Sequence, residues 1–460
     1  MSTGLDIAIT ALGATLRAWL VFSPNTLYQV KRLFSIASPV DGQDAWREGL
    51  HLMRIYGNPA HSSATGVCYT SPLLLRVLAT IEEWGGEFGL QLFFLLLPLV
   101  TYRVLLLTVN RRLDLGAHAS ATKTAVFLIT IAYWLNPLMV LQSGAMVLSA
   151  VDDCLLAGVA FWMQRLFLAR NRGDGSSQGG WAVIWSFVAV GLLMAIHPPR
   201  AVILVALMIA SMPSPIADPP ASPSTPGKTK SERRHNLANA FHHRALIIVL
   251  GSIGVAAMVV LGVTTTVAKV KTHEVIDPWT HYYRATLLLR EGIPLSPSLG
   301  VQWYMFQLMF LEYSTLYAVA LRLFPLILVV PLGMKLHHIE GDNGTTVAPG
   351  GFGVFVLGGM LVALCRPYLE ISELVMAFVV MPTTLTFGVV QHHKNNFAFF
   401  AIAFVTIPLV HAFYYAWLKV QVANPNFLFF TCVALNGGLA VFIAEYVKQF
   451  VRQGRLAQQA

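Results

Sequence analysis

Apolar residues along this chain gather in continuous runs of about 20, the length that crosses a bilayer's hydrocarbon core. They do not alternate with the period of two that a membrane barrel requires, so helices are predicted. Runs fall at about Asp6–Phe22, Phe88–Thr108, Thr124–Val140 and Met146–Gln164. A fifth and a sixth flank His197-Pro198-Pro199-Arg200, read as a tight non-cytoplasmic turn. The rest lie at about Ala245–Ala268, Tyr313–Lys335, Phe352–Cys365, Ile371–Val390, Phe397–Leu418 and Phe427–Phe450. The expected fold is an all-α polytopic membrane protein of about 12 helices, forming a single domain over 1–460.

Three polar stretches interrupt the runs. Segment 23–87 holds turn residues between short amphipathic helices, expected to lie along a membrane face. Segment 269–312 carries Trp279, Trp303, Tyr304 and Phe306, expected as an interfacial layer rather than another crossing. Stretch 212–244, rich in Pro, Ser and Lys, reads as a disordered cytoplasmic linker.

Composition agrees with this frame: 56% hydrophobic and 12% charged residues, with mean hydropathy +0.63. The formal charge of +9 comes from Lys and Arg placed between apolar runs. That pattern sets topology and argues against a nucleic-acid surface. Alternating sides puts both termini in the cytoplasm and places the polar segments 23–87 and 269–312 on the lumenal side. The sequon Asn343-Gly344-Thr345 then falls on the cytoplasmic side. No repeat of fixed period supports a transporter built from two halves.

Candidate chemistry is sparse. The four cysteines, Cys68, Cys154, Cys365 and Cys432, show neither disulfide nor zinc spacing. His273-Glu274 is followed by Asp277 where a metalloprotease needs histidine. The adjacent pairs His242-His243, His337-His338 and His392-His393 would diverge by about 100° on a helix. Neither metal nor cofactor is expected. Arg17 within the first run is expected to snorkel or to meet a carboxylate. Asp152-Asp153 fit a buried polar contact or a tilted helix end better than catalysis.

Three sites remain open to function. Asp41 and Asp44 follow the first run, where a carboxylate could activate an acceptor hydroxyl, although aspartates in such a turn also make ordinary Asx turns. Arg366 and Glu370 are spaced to share a helix face if a helix starts at Pro367. With Tyr368 they would form either a local ion pair or a charged lip for a lipid headgroup. The polar turn Asn424-Pro425-Asn426 opens into Phe427-Leu428-Phe429-Phe430, a contrast expected at a headgroup boundary. Its plainer reading is a helix cap.

Several of these stretches occur in a series: Arg47-Glu48-Gly49-Leu50, Gly57-Asn58-Pro59, Tyr69-Thr70-Ser71-Pro72-Leu73-Leu74, Leu135-Asn136-Pro137, Gln302-Trp303-Tyr304-Met305-Phe306, Pro331-Leu332-Gly333-Met334-Lys335-Leu336, Arg366-Pro367-Tyr368 and Asn424-Pro425-Asn426-Phe427. In that order they resemble the PIG-U family, polytopic subunits of the glycosylphosphatidylinositol (GPI) transamidase. The resemblance implies a glycosyltransferase-C-like fold, a place in the endoplasmic reticulum membrane, and a subunit that makes no bond itself. It implies partners, among them a cysteine-protease-like catalytic subunit, and a GPI lipid contacted by Asn424, Asn426 and Phe427. Two departures are the paired acids Asp41 and Asp44 and the proline-rich stretch from Pro213. The first sustains an alternative, a GPI mannosyltransferase using a lipid-linked donor with Asp41 and Asp44 as its catalytic residues.

Overall fold

The computed structural model describes residues 3–23, 35–36, 38, 40–56, 70–111, 119–171, 177–211, 247–261, 278–283, 297–340, 351–386 and 394–459. Among them all regular structure is helical. In order these are α1 (Thr3–Phe22), α2 (Gln43–Tyr56), α3 (Pro72–Asn110), α4 (Ala119–Ile129), α5 (Pro137–Gly144), α6 (Ser149–Asn171), α7 (Ser177–Ile196) and α8 (Ala201–Ser211). Then come α9 (Ile247–Leu261), α10 (Pro278–Tyr283), α11 (Gln302–Leu308), α12 (Leu311–Glu340), α13 (Gly351–Leu364) and α14 (Ile371–Leu385). The last two are α15 (Lys394–Leu418) and α16 (Pro425–Gln459).

Among the described residues three stretches are long and apolar enough to cross a membrane: Pro72–Asn110, Glu312–Leu336 and Pro425–Arg452. A fourth is the pair Thr122–Trp134 and Pro137–Gly144, bent by 44°. The bend is written in Leu135-Asn136-Pro137. Pro137 cannot donate a helical hydrogen bond, and the Asn136 side chain accepts from the Leu138 N–H at 3.0 Å, starting a new helix. Shorter apolar helices coincide with other expected runs: α9, α13 and α14, and Trp181–Ile196 and Val405–Leu418 within α7 and α15. His197-Pro198-Pro199-Arg200 is a tight turn between α7 and α8, with a 3-10 turn at Pro198–Arg200.

Two expectations change with packing. α2 does not lay its apolar face on lipid: Trp46 and Leu50 are buried in one cluster with Leu74, Leu75 and Leu78 of α3. Trp279, Trp303 and Phe306 are likewise buried, while Met305, Leu308 and Phe310 of the same segment stay exposed, so its aromatic residues are divided between the interior and the surface. The stretch 212–244, the sequon at Asn343, Cys68, His273, Glu274 and the histidine pairs 242–243 and 392–393 lie outside the described residues.

Arg17 is corrected too. It neither snorkels nor meets a carboxylate. Residues Thr130–Trp134 form a π turn, and Arg17 donates to the Trp134 carbonyl at 2.6 Å and the Tyr133 carbonyl at 3.2 Å. It donates also to Ser143 Oγ at 3.1 Å, with its guanidinium 4.2 Å from the Trp134 ring centroid. Carbonyl oxygens and a ring face thus take the place of water.

Candidate functional site

Four segments bring charged side chains together in the interior. Asp41 closes a turn in which Gly42 N–H donates to the Ser38 carbonyl at 2.9 Å, and the Asp41 carbonyl accepts from Leu148 N–H at 2.9 Å. Its carboxylate pairs with Arg366, which also pairs with Glu373. Arg200 reaches Glu373 at 2.6 Å and Asp152 at 3.1 Å, and His197 Nδ1 lies 2.8 Å from Asp152. Arg366 donates to His197 Nε2 at 3.0 Å. An arginine can only donate, so the neutral imidazole carries its hydrogen on Nδ1, facing Asp152.

This geometry revises three expectations. Residues 366–370 are not helical, because α14 starts at Ile371, so Arg366 pairs with Glu373 instead of Glu370. Arg366, Tyr368 and Glu370 are 8%, 6% and 0% exposed: they line the interior and form no lip. Asp41 and Asp44 part company, one buried in the cluster and the other exposed on α2. The partners of Asp152 stand on the turn after α7, beyond any helical spacing that a linear reading could test.

Glu370 accepts the Ser38 N–H at 2.9 Å, and the neighbouring Ile371 N–H donates to the Ser35 carbonyl at 2.9 Å. Burial, and after it the charge of Asp41, pushes the Glu370 carboxyl up to about 8. The neutral acid is therefore the folded form at neutral pH. Its contribution is complete below the ordinary carboxylate range and is lost as pH rises through about 8. The melting temperature of purified protein is expected to fall from about pH 5 to about pH 8 and to level off above that. Glu370→Gln, which fixes the neutral form, is expected to flatten that slope; an equal slope in the variant would assign it elsewhere.

The turn before α16 is exposed. Asn424 and Asn426 face outward, and Phe427 is 57% exposed. The capping reading holds: Asn424 Oδ1 accepts the Asn426 N–H at 3.0 Å and Pro425 is the first helical residue. Tyr304 donates to Asn426 Oδ1, and its ring stacks on Phe429 at 4.2 Å. Phe427 stacks on Phe413 at 5.7 Å. This leaves the two amide nitrogens and the Phe427 ring edge as the outward chemistry of the turn.

Residues 298–308 strap the exposed turn to the buried cluster. Ser298 Oγ donates to the Pro367 carbonyl at 2.9 Å and Gln302 Nε2 to the Cys365 carbonyl at 2.7 Å. On the other side Asn436 Nδ2 donates to the Leu299 carbonyl at 2.8 Å. Gln302 and Tyr304 stood in the quoted series and Asn436 within an apolar run, but nothing in a linear reading paired them. Among the described residues no group of three or more His, Cys, Asp or Glu could hold a metal ion.

Residues 11–435 match the sequence model of one family, described as GPI transamidase subunit PIG-U. The chain belongs to the PIG-U family. A GPI transamidase component from Schizosaccharomyces pombe, a GAB1 homolog, is 28% identical over 160 residues, 34% of this chain and 35% of that relative. The aligned part is thus about a third of that relative's length. Neither match supports the mannosyltransferase alternative, and Asp41 faces Arg366 rather than an open acceptor site.

Proposed function

We propose that this protein is a non-catalytic membrane subunit of a GPI transamidase in the endoplasmic reticulum, and that it holds the GPI lipid for attachment to proteins. It has about 12 crossings in a glycosyltransferase-C-like arrangement, with both termini cytoplasmic and the turn before α16 lumenal. It works beside other subunits, including a cysteine-protease-like one that supplies the nucleophile. Asn424 and Asn426 bind phosphate or sugar oxygens through their amides, and Phe427 lies against an acyl chain. Arg366, Tyr368 and Glu370 act behind them, as the buried support of the strap. The observation that carries this reading is the exposed turn of two amides and an aromatic, tied through residues 298–308 to a rigid interior.

Asn424→Leu with Asn426→Leu is expected to lower GPI attachment of a reporter about tenfold, the effect of losing about 1.4 kcal/mol of binding. Recovery of the complex in mild detergent should be unchanged. Asn424→Asp keeps the cap and separates its loss from loss of the ligand. Normal attachment in the double leucine variant would sink the lipid assignment. Removing Asp41 and Asp44 together is a poor test of the mannosyltransferase alternative, since Asp41 is an ion-pair partner in the core; Asp44→Ala alone is the clean one.

A further inference from the structure

We propose that the elbow of α3, residues 83–88, is a membrane anchor in which the Trp84 indole sits in the headgroup layer and Phe88 enters the hydrocarbon. α3 breaks at Gly86, whose φ of 59° and ψ of −154° suit glycine alone. The break separates the polar stretch Glu82-Glu83-Trp84-Gly85-Gly86-Glu87 from the apolar run that begins at Phe88. Trp84 is 89% exposed and Phe88 62%, whereas Leu74, Leu75 and Leu78 earlier in α3 are covered by α2.

Two observations put lipid over this exposed surface. Phe22, the last residue of α1, stacks on Phe88 at 5.7 Å, so two helices reach their apolar limit at one level. From Phe88 to Asn110 the helix rises about 33 Å, at about 1.5 Å per residue, against a hydrocarbon core of about 30 Å. Arg111 follows directly. Within the run the exposed Arg103 pairs with Asp6 at 3.5 Å, about 22 Å along the helix from Phe88 and within snorkelling reach of the far headgroups, so the run uses up the hydrocarbon thickness and leaves residues 83–87 at headgroup depth. An indole, apolar in its body and a donor at its edge, partitions to that layer.

The anchor has a structural consequence. Glu87 and Glu82 pair with Arg47 and Arg54 of α2, and α2 follows directly on the Asp41 turn and is held by Trp46 donating to the Met146 carbonyl at 3.0 Å. The elbow is thereby joined through α2 to the turn that carries Asp41.

The test places nitrobenzoxadiazole on single cysteines at 83, 84 and 88 in a full-length chain lacking its four native cysteines. The protein is read in phosphatidylcholine nanodiscs, alone and within the recovered complex. The probe at 84 should be quenched about threefold more by a spin label near the headgroup than by one at the bilayer centre, lie deeper than 83 and lie shallower than 88. In the intact chain, Trp84→Phe should lower the share of tryptophan fluorescence quenched by brominated lipid. Iodide access at 84 equal to that at 83 overturns the proposal, as does an unchanged brominated-lipid signal. Protection from lipid quenchers only when other subunits are present also overturns it, assigning the elbow to a protein partner.

Discussion

Arg366→Met is expected to remove about 3–5 kcal/mol of stability, the range for stripping one partner from a buried ion pair. The loss should appear as a large fall in melting temperature and in recovery of monodisperse protein. The reason is the number of groups that one side chain serves. Arg366 pairs with Asp41 and Glu373 and donates to His197, joining the first polar segment, the turn after α7 and the start of α14. Without it buried Asp41 loses its counter-charge and Glu373 is left to Arg200 alone. Arg366→Lys keeps the charge but has no planar fork to serve three directions, so an intermediate loss is expected. Arg366→Met with Asp41→Asn should recover part of the loss, with coupling of about 0.5–3 kcal/mol. Strict additivity, or wild-type stability in Arg366→Met, would show that the cluster does not tie these segments.

Gly13→Ala carries the second large effect, through crowding instead of charge. A Cβ at Gly13 would stand 2.2 Å from Trp134 Nε1, where real side chains never approach. Trp134 cannot move without disturbance: its N–H donates to the Ile9 carbonyl at 3.2 Å, its ring stacks on Tyr102 at 4.7 Å, and Arg17 lies over its face. Overpacking at such a site costs about 1–3 kcal/mol, with loss of the contacts of Arg17 added. Gly437→Ala is the matched control. Nothing lies within 4 Å of a Cβ there, so helix propensity alone acts and a gain of up to about 1 kcal/mol is expected. Equal melting temperatures for the two variants would refute the account of Gly13.

The helical class was legible because runs of the right length leave lipid-bound backbone no other way to satisfy its hydrogen bonds. So were the break at Leu135-Asn136-Pro137 and the turn at His197–Arg200, since proline acts locally on the backbone. The exposed turn at Asn424 was legible as a local contrast, and its cap as local chemistry. The charged cluster was not. Asp152 meets Arg200, and Asp41 meets Arg366, across distances in sequence that no periodicity spans. The spacing of Arg366 and Glu370 suggested a pair, but it assumed a helix four residues too early, and Glu373 took the place. Burial of Trp279 and Trp303 was hidden for a related reason: an aromatic residue in a polar segment looks the same whether it faces lipid or neighbouring helices.

The setting of Arg17 bears on the order in which the chain enters the membrane. The carbonyl and hydroxyl that receive it, on Trp134 and Ser143, lie 117 and 126 residues further along the chain. While the first helix is emerging from the ribosome, none of these acceptors has been made. An arginine within an isolated helix costs about 2.5–3.5 kcal/mol on insertion scales, so α1 enters as a marginal segment. Its final seating is a late event of biogenesis that waits on synthesis of α4 and α5, and a chain truncated before Ser143 would leave its first helix prone to slip back out of the bilayer.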